Sequence, residues 1–110
     1  MTALPIPAPV ERAVRKLGRD ISLARRRRQI SQQSLAERIG SSLATVRRLE
    51  KGDPRIPLHY LARALFVFGE LERLNRLLDT GEDLIGLTLM DAQLPQRVRA
   101  RKRTTESGAL

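Results

Sequence analysis

The chain has 110 residues, with 21 Lys and Arg against 12 Asp and Glu, a net charge of +9 and no cysteine. This length allows one small domain, and the lack of cysteine excludes disulfides and cysteine-ligated metal sites. No apolar run approaches the roughly 20 residues that span a bilayer, and the amino end lacks a signal-peptide pattern, so we expect a cytoplasmic protein. Such a basic chain favours a polyanionic partner, and nucleic acid is the first candidate.

The amino-terminal part is predicted to be an extended arm followed by a long helix. Two prolines favour extended backbone over residues 1–8, which is either a frayed terminus or an arm whose Leu4 and Ile6 pack on a partner subunit. Pro9 can occupy the first turn of a helix that we expect to run to about Arg28. Its apolar residues recur at helical spacing and form one apolar stripe: Val10, Val14, Leu17, Ile21 and Ala24.

Residues 31–52 are predicted to form a short helix, a tight turn and a second short helix. Ser31 is placed to cap the first helix, and the helix's apolar positions share one face. These positions are Leu35, Ala36 and Ile39. Gly40 permits the positive φ of a sharp turn, and the serines after it can cap the second helix. Gly52 is a suitable residue for that helix to end on.

The second short helix has two faces of different chemistry. Val46 and Leu49 fall on one face, which we expect to be buried. The opposite face carries one small residue and three cations, which are Ala44, Arg47, Arg48 and Lys51. A face of this kind suits insertion into the major groove of DNA.

After the second helix, the sequence DPRIPL predicts a turn in which Asp53 or Arg55 stays in solvent. Pro57 is expected to open a helix that runs to about Phe68. We expect Leu58, Leu61 and Leu65 to share the face of this helix that closes the core.

Each of the remaining segments allows two interpretations. Residues 70–78 favour a fifth helix, whose leucines serve either the core or a dimer contact. Residues 84–94 fit a short helix or a strand, and we favour a helix that ends before Pro95. Residues 96–110 are basic and then polar, which predicts a disordered tail that is either plainly solvated or lies on DNA or on an acidic partner.

The stretch from 31 to 52 resembles the helix-turn-helix of the Xre/Cro phage-repressor family. The matching positions are Ser31-Gln32, Leu35-Ala36, Gly40, Thr45-Val46 and Leu49-Glu50-Lys51-Gly52. The resemblance implies an all-α, five-helix lambda-repressor-like helix-turn-helix domain with a short C-terminal extension. Gln29 stands where the family usually has a turn glycine, so we expect the end of the first helix to be built differently. Leu43 stands where many members have a polar residue that reads a base.

The resemblance also implies roles for residues of the motif. The second helix would be the recognition helix, with base contacts from Leu43, Ala44, Arg47 and Arg48, and Lys51 beside them on the DNA-binding face. Phosphate contacts would come from Gln32, Ser42 and Thr45, although ordinary helix capping is also open for Gln32 and Thr45. An ion pair between Arg25 and Glu50 would tie the first helix to the recognition helix. For Arg26, Arg27 and Arg28 a solvated face and a phosphate contact are both open, and we favour the phosphate contact.

The wider layout more loosely resembles HipB-type antitoxins. It runs ALPIPAPVERAVRKLGRDI, four arginines, the motif, ALFVFG and LIGLTLMDAQLPQRVR. The domains would be an arm (1–8), a helix-turn-helix domain (9–78), an apolar extension for dimer or partner contact (79–95) and a basic disordered tail (96–110).

This resemblance implies a sequence-specific repressor that binds a palindromic operator in double-stranded DNA as a homodimer. It would autoregulate its operon and bind a HipA-type kinase toxin through residues 84–103. The alternatives are a protein-binding inhibitor with secondary DNA binding and a stand-alone phage-type repressor. The sequence indicates no enzyme, cofactor, metal site or membrane contact, because no His is paired with a nucleophile and no phosphate-binding loop or carboxylate cluster is present.

Overall fold

The structure is a computed structural model that describes residues 4–79. Within this range five helices follow one another without any strand: α1 (Ala8–Arg27), α2 (Gln32–Ile39), α3 (Leu43–Lys51), α4 (Leu58–Phe68) and α5 (Leu71–Asn75). The prediction of an all-α, five-helix fold is confirmed. The predictions for residues 80–110, which cover the extension after Asp79 and the basic tail, lie outside the described residues.

Serine side chains begin both helices of the motif. The Oγ of Ser31 accepts a hydrogen bond from the backbone N–H of Ser34 at 3.0 Å, and that of Ser42 accepts one from Thr45 at 3.1 Å. Each bond satisfies a backbone N–H that a helix start leaves without an intrahelical partner. The turn between α2 and α3 is short, with Gly40 at a φ of 70°.

The ends of α1, α2, α3 and α4 share one hydrogen-bond geometry. After α1 the N–H of Gln29 donates to Arg26 O at 2.9 Å and that of Ile30 donates to Arg25 O at 3.2 Å, and the same pair of bonds follows the other three helices. The left-handed residue is glycine in those three, but Gln29, with φ at 56°, in the first. The expectation of a different end for α1 is therefore wrong, because glutamine adopts the same backbone at a steric cost.

One hydrophobic core is shared by the first four helices and the loop after α1. Its buried members are Ile21, Ile30, Leu35, Ala36, Ile39, Val46, Leu49, Ala64 and Phe68. The predicted face of α4 is wrong at Leu58, which is 68% exposed, and the buried positions are Ala64 and Phe68. Leu58 and Ala64 lie about 120° apart around the helix. Because α4 packs through Ala64, which has no long side chain, Leu58 is turned out of the core.

The helices α1 and α3 touch backbone to backbone. A Cβ added at Gly18 would lie 2.6 Å from the carbonyl oxygen of Glu50, and one added at Gly52 would lie 2.6 Å from the Cα of Arg15. No side chain fits between the two helices at these points. The two glycines therefore fix how close the carboxyl end of α3 lies to α1.

A buried ion pair adds a second constraint between α1 and α3. The Nε of Arg25 donates to Oε2 of Glu50 at 2.6 Å, and its Nη2 donates to Oε1 at 3.1 Å. The Arg25 side chain is 10% exposed and that of Glu50 is 7% exposed. Nη1 of Arg25 also donates to Ile30 O at 2.8 Å, and Nε2 of Gln32 donates to Oε1 of Glu50 at 2.9 Å. The network thus joins α1, the following loop, α2 and α3.

The fifth helix is shorter than predicted. It covers Leu71–Asn75, and residues 76–78 form a turn in which the N–H of Asp79 donates to Arg76 O at 3.3 Å. Leu77 and Leu78 therefore follow the helix instead of extending its apolar face.

Gln29→Gly is expected to stabilise the domain. Glycine removes the steric cost of the left-handed conformation, and the gain exceeds the entropy that glycine adds to the unfolded chain, leaving about 0.5–1 kcal/mol. The free energy of unfolding from urea titration measures this effect. The control Gln33→Gly places the same substitution in the first turn of α2, where glycine relieves no strain and the hydrogen bond from Gln33 to Glu37 is lost, so it should destabilise the domain. Destabilisation by both variants would contradict a strained Gln29.

Glu50→Ala is expected to lower the free energy of unfolding by about 3–5 kcal/mol, because it leaves the Arg25 guanidinium buried without its carboxylate. Thermal and urea unfolding followed by circular dichroism measure the loss. A double variant, Arg25→Met with Glu50→Leu, should recover most of it, since no unpaired charge remains. Asp20→Ala, which removes an exposed partner of Lys16, is the control and should change the melting temperature little. Equal effects of Glu50→Ala and Asp20→Ala would reject the role of burial.

Candidate nucleic-acid interface

One face of α3 carries the predicted DNA-reading residues into solvent. Its four exposed positions recur three, four and seven residues after the first and are Ala44, Arg47, Arg48 and Lys51. The opposite face is buried, with Val46 at 0% and Leu49 at 8% exposure. The helix therefore presents a cationic surface from a fixed position, which base readout in the major groove requires.

The start of α3 presents uncharged side chains. Leu43 and Thr45 are half-buried and Ser42 is exposed. The hydroxyls of Ser42 and Thr45 lie 3.1 Å apart and share a hydrogen bond. This cap gives the helix start a polar surface, and backbone N–H groups at such a position suit contact with a phosphate.

Gln32 lies at the first position of α2 and is half-buried. Its amide nitrogen donates to the buried Glu50 carboxylate at 2.9 Å. A primary amide carries two N–H donors, so this bond leaves the second for a ligand at the surface. The phosphate contact of Gln32 stays a prediction, and the hydrogen bond to Glu50 holds the side chain in place.

A groove of about 530 Å³ lies between α1 and α3. We call it the cationic groove, and its basic and polar lining includes Arg19, Ser22, Arg26, Arg47 and Lys51. Sequence reasoning missed Arg19 and Ser22. Their spacing before Arg26, at three and seven residues from Arg19, was the available signal, because it puts all three on one face of α1.

The four consecutive arginines at the end of α1 and just after it have different surroundings. Arg25 is buried in the ion pair, and Arg26 lines the cationic groove. Arg27 and Arg28 line a different hollow, between α1 and α4. Of the three arginines predicted to contact phosphate together, the structure therefore places only Arg26 beside the recognition helix.

Arg28 binds groups of its own domain. Its Nη1 donates to Ala24 O at 2.9 Å and its Nη2 donates to Phe68 O at 3.1 Å. The guanidinium carbon lies 5.0 Å from the centre of the Phe68 ring, and Nη2 is 3.7 Å from a carboxylate oxygen of Glu70. Arg28 thus links the end of α1 to the end of α4.

A carboxylate lies beside the end of the recognition helix. Oδ2 of Asp53 accepts from Nε of Arg48 at 3.1 Å and from Nη2 of Arg55 at 3.1 Å. Its Oδ1 accepts from the backbone N–H of Arg55 at 2.9 Å and from Nε of Arg55 at 3.1 Å. The Asp53 side chain is only 12% exposed, so the expectation that Asp53 or Arg55 stays in solvent holds only for Arg55, at 81%.

The hydrogen bonds and charges around Asp53 set its protonation state. The Arg55 side chain, the Arg55 backbone N–H and Arg48 hold the pKa of the Asp53 carboxyl well below its usual range. The same carboxylate raises the pKa of the Arg55 guanidinium. The Asp53 carboxylate and the Arg55 guanidinium are therefore both charged at neutral pH.

Two other classes of site are not found in residues 4–79. No helix there has both the length and the apolar character that crossing a membrane requires. No three His, Cys, Asp or Glu side chains of that range are grouped so that they could hold a metal ion.

Comparison with known protein families agrees with this geometry. Residues 21–69 match the family model described as "Helix-turn-helix", a range that begins in α1 and ends just after α4. No curated protein and no solved structure matches the chain. Residues 21–69 belong to the Xre/lambda-repressor type of the helix-turn-helix family, and the protein is a DNA-binding transcriptional regulator.

Proposed function

We propose that this protein is a sequence-specific repressor that binds a palindromic operator as a homodimer. The observation that carries the proposal is the exposed, cationic face of α3, which is held in place from behind. Arg47 and Arg48 are exposed on that face, while Glu50 on the opposite face is fixed by Arg25 and Gln32. A rigid helix with outward cations can present hydrogen-bond donors to base edges without first being ordered.

Base readout would rest on the two arginines of this face. A guanidinium can donate two parallel hydrogen bonds to O6 and N7 of guanine. Ala44 is exposed and Leu43 is half-buried, and both can contact only apolar groups such as the thymine methyl. The preferred site should therefore contain guanines at the positions that Arg47 and Arg48 reach.

Phosphate contacts would surround the base contacts. The caps at Ser42 and Thr45 and the amide of Gln32 can bind one stretch of backbone. The cationic groove adds Arg19 and Arg26, which lie beside Arg47 and Lys51. Such contacts fix position and register but carry no sequence information, so they should make binding strongly dependent on salt.

Dimerisation would extend the short site that one recognition helix can read. A two-fold dimer places its recognition helices about 34 Å apart, one turn of DNA, and this matches a palindrome. A regulator of this kind works on the chromosome, which is the reason to expect it in the cytoplasm.

A narrower proposal is an antitoxin that represses its own operon and binds a HipA-type kinase toxin. It is supported by the order of segments that resembles HipB-type antitoxins. The partner surface would include residues 84–103, which lie outside the described residues. The exposed cations of α3 favour DNA binding as a primary activity over the alternative of a protein-binding inhibitor with secondary DNA binding. A stand-alone phage-type repressor is the remaining alternative.

Arg48→Ala and Arg26→Ala are expected to weaken DNA binding in different ways. Arg48→Ala should reduce the preference for the operator over a scrambled duplex by about tenfold or more, because a bidentate guanine contact contributes 1–3 kcal/mol of discrimination. Arg26→Ala should weaken binding to both duplexes alike and reduce the salt slope by about 1, as a lost phosphate contact does. Fluorescence anisotropy across a salt series, with fragments from the protein's own promoter, measures both effects.

Arg27→Ala is the matched control for Arg26→Ala, because it removes the same charge one residue along α1 but outside the cationic groove. Its effect on affinity should be smaller. Equal losses for the two variants would reject the groove as a phosphate site. Unchanged discrimination in Arg48→Ala would show that Arg48 reads no base.

The antitoxin proposal predicts association with a kinase encoded next to this protein. Tagged full-length protein should retain that neighbour in stoichiometric amount when the two are co-expressed. A variant truncated after residue 83 should retain DNA binding but lose the kinase. If the neighbouring gene encodes no kinase, or encodes one that does not associate, the antitoxin role fails and the repressor role stands.

A further inference from the structure

We propose that Asp53 is a positioning residue that sets the base preference of Arg48. This inference rests on the proposed function, because it concerns how the recognition helix discriminates among DNA sequences. Asp53 does not touch the base itself in this proposal. It holds the Arg48 guanidinium in one orientation before DNA arrives.

Asp53 and Arg48 are linked twice. The backbone N–H of Asp53 donates to Arg48 O at 3.0 Å, and the Nε of Arg48 donates to the Asp53 carboxylate at 3.1 Å. Gly52, with φ at 77°, turns the chain so that the residue after it comes back beside the last turn of α3. The carboxylate is 12% exposed and the Arg48 side chain is 49% exposed. The anchor is therefore nearly buried, and the arginine it holds reaches solvent.

Asp53 binds Nε of Arg48, so Nη1 and Nη2 of the guanidinium stay available for DNA. Nε lies on the side of the group, whereas Nη1 and Nη2 form the forked end that matches O6 and N7 of guanine. Arg55 supports the same carboxylate through two side-chain hydrogen bonds and one from its backbone. The Asp53 carboxylate is thus held in one orientation and can restrain the Arg48 side chain.

Preorganisation explains why a carboxylate is kept on a DNA-binding surface. A free arginine side chain samples many rotamers and loses that freedom on binding, so restraint in advance favours the one geometry that is used. The same negative charge repels phosphate, and this penalty falls on every DNA sequence alike. Asp53 should therefore weaken non-specific binding while it strengthens discrimination.

A purely structural role for Asp53 makes a different prediction. The hydrogen bond from the Arg55 backbone to Oδ1 is a turn motif that Asn can also form. Asp53→Asn therefore keeps the turn acceptor Oδ1, and it removes the negative charge together with the Oδ2 acceptor that binds Arg48 and the Arg55 side chain. If Asp53 only shapes the turn, this variant should discriminate between DNA sequences as the wild type does, even though its affinity for all of them rises.

The test measures binding of the full-length chain to its operator fragment and to a scrambled duplex of equal length. For Asp53→Asn we expect tighter binding to the scrambled duplex and a loss of about tenfold in discrimination, within the range of one guanine contact. The melting temperature reports whether the turn is intact. Asp20→Asn is the matched control, because it removes the same charge from an exposed pair with Lys16 on α1. It should leave discrimination unchanged.

Coupling to Arg48 separates positioning from a general effect on the fold. In an Arg48→Ala background, Asp53→Asn should cause no further loss of discrimination, because the side chain that it positions is absent. A further loss there, or wild-type discrimination in Asp53→Asn alone, would overturn the inference. If Asp53→Asn melts much earlier than the wild type, the double variant decides, because a folding defect would appear in both backgrounds. If the wild type itself does not discriminate, the proposed function fails and this inference fails with it.

Discussion

The geometry of the DNA-binding face depends on the buried carboxylate of Glu50. A charge taken out of water is tolerated only when its hydrogen-bonding atoms are satisfied, and Glu50 accepts from Arg25 twice and from Gln32 once. These donors come from α1 and α2, whereas Glu50 belongs to α3. Among the described residues no buried side-chain nitrogen or oxygen lacks a partner. One carboxylate therefore holds three helices together. Because it anchors the buried side of α3, it also determines where the exposed residues of α3 point.

The close packing of α1 on α3 acts together with this ion pair to fix the position of α3 relative to α1. At Gly18 and Gly52 the two backbones approach so closely that a methyl group would collide with main-chain atoms. Such a contact limits sliding and closer approach, and the ion pair opposes separation and rotation. The cationic groove exists because of the same contact, since it brings Arg26 of α1 beside Arg47 of α3. Together, these constraints turn two short helices, which are marginal alone, into a rigid surface.

The parts of the fold that could be predicted from the sequence are those determined by residues close together in the chain. Ser31 and Ser42 as caps, Gly40 as the turn and the two faces of α3 each depend on neighbouring residues, and the structure has all of them. The parts that could not be predicted depend on partners distant in the chain. The face that Leu58 shares with Leu61 and Leu65 predicts a core position for it, but the buried face of α4 is decided by which side meets α1 and α2.

The site shows the same division between local and distant effects. The exposed cations of α3 could be read from helical spacing, because the opposite face is apolar. The family resemblance gave Arg25 its partner Glu50, and the structure has that pair. The roles of Arg26, Arg27 and Arg28 could not be predicted, since consecutive residues point about 100° apart and meet different neighbours. Arg28 lies against Phe68, forty residues away in the chain, and no sequence pattern predicts that contact. Gln29 shows a further limit, because a missing glycine predicted a changed turn where the fold accepted strain instead.

Two acidic residues at the end of a basic recognition helix indicate what the surface is built to do. A protein selected only for tight binding to DNA would carry as many cations as possible, because phosphate neutralisation supplies most non-specific affinity. Here Glu50 and Asp53 each hold a cation of the chain instead of leaving it free for phosphate. Both carboxylates reduce the net positive charge near the DNA. Glu50 also fixes the orientation of α3, and Asp53 fixes that of the Arg48 side chain. A regulator must find one site among many competing ones, so the ratio of specific to non-specific binding matters more than affinity alone. Carboxylates that restrain donors raise this ratio, because their repulsion acts on every sequence while the restrained donors favour only the matching one.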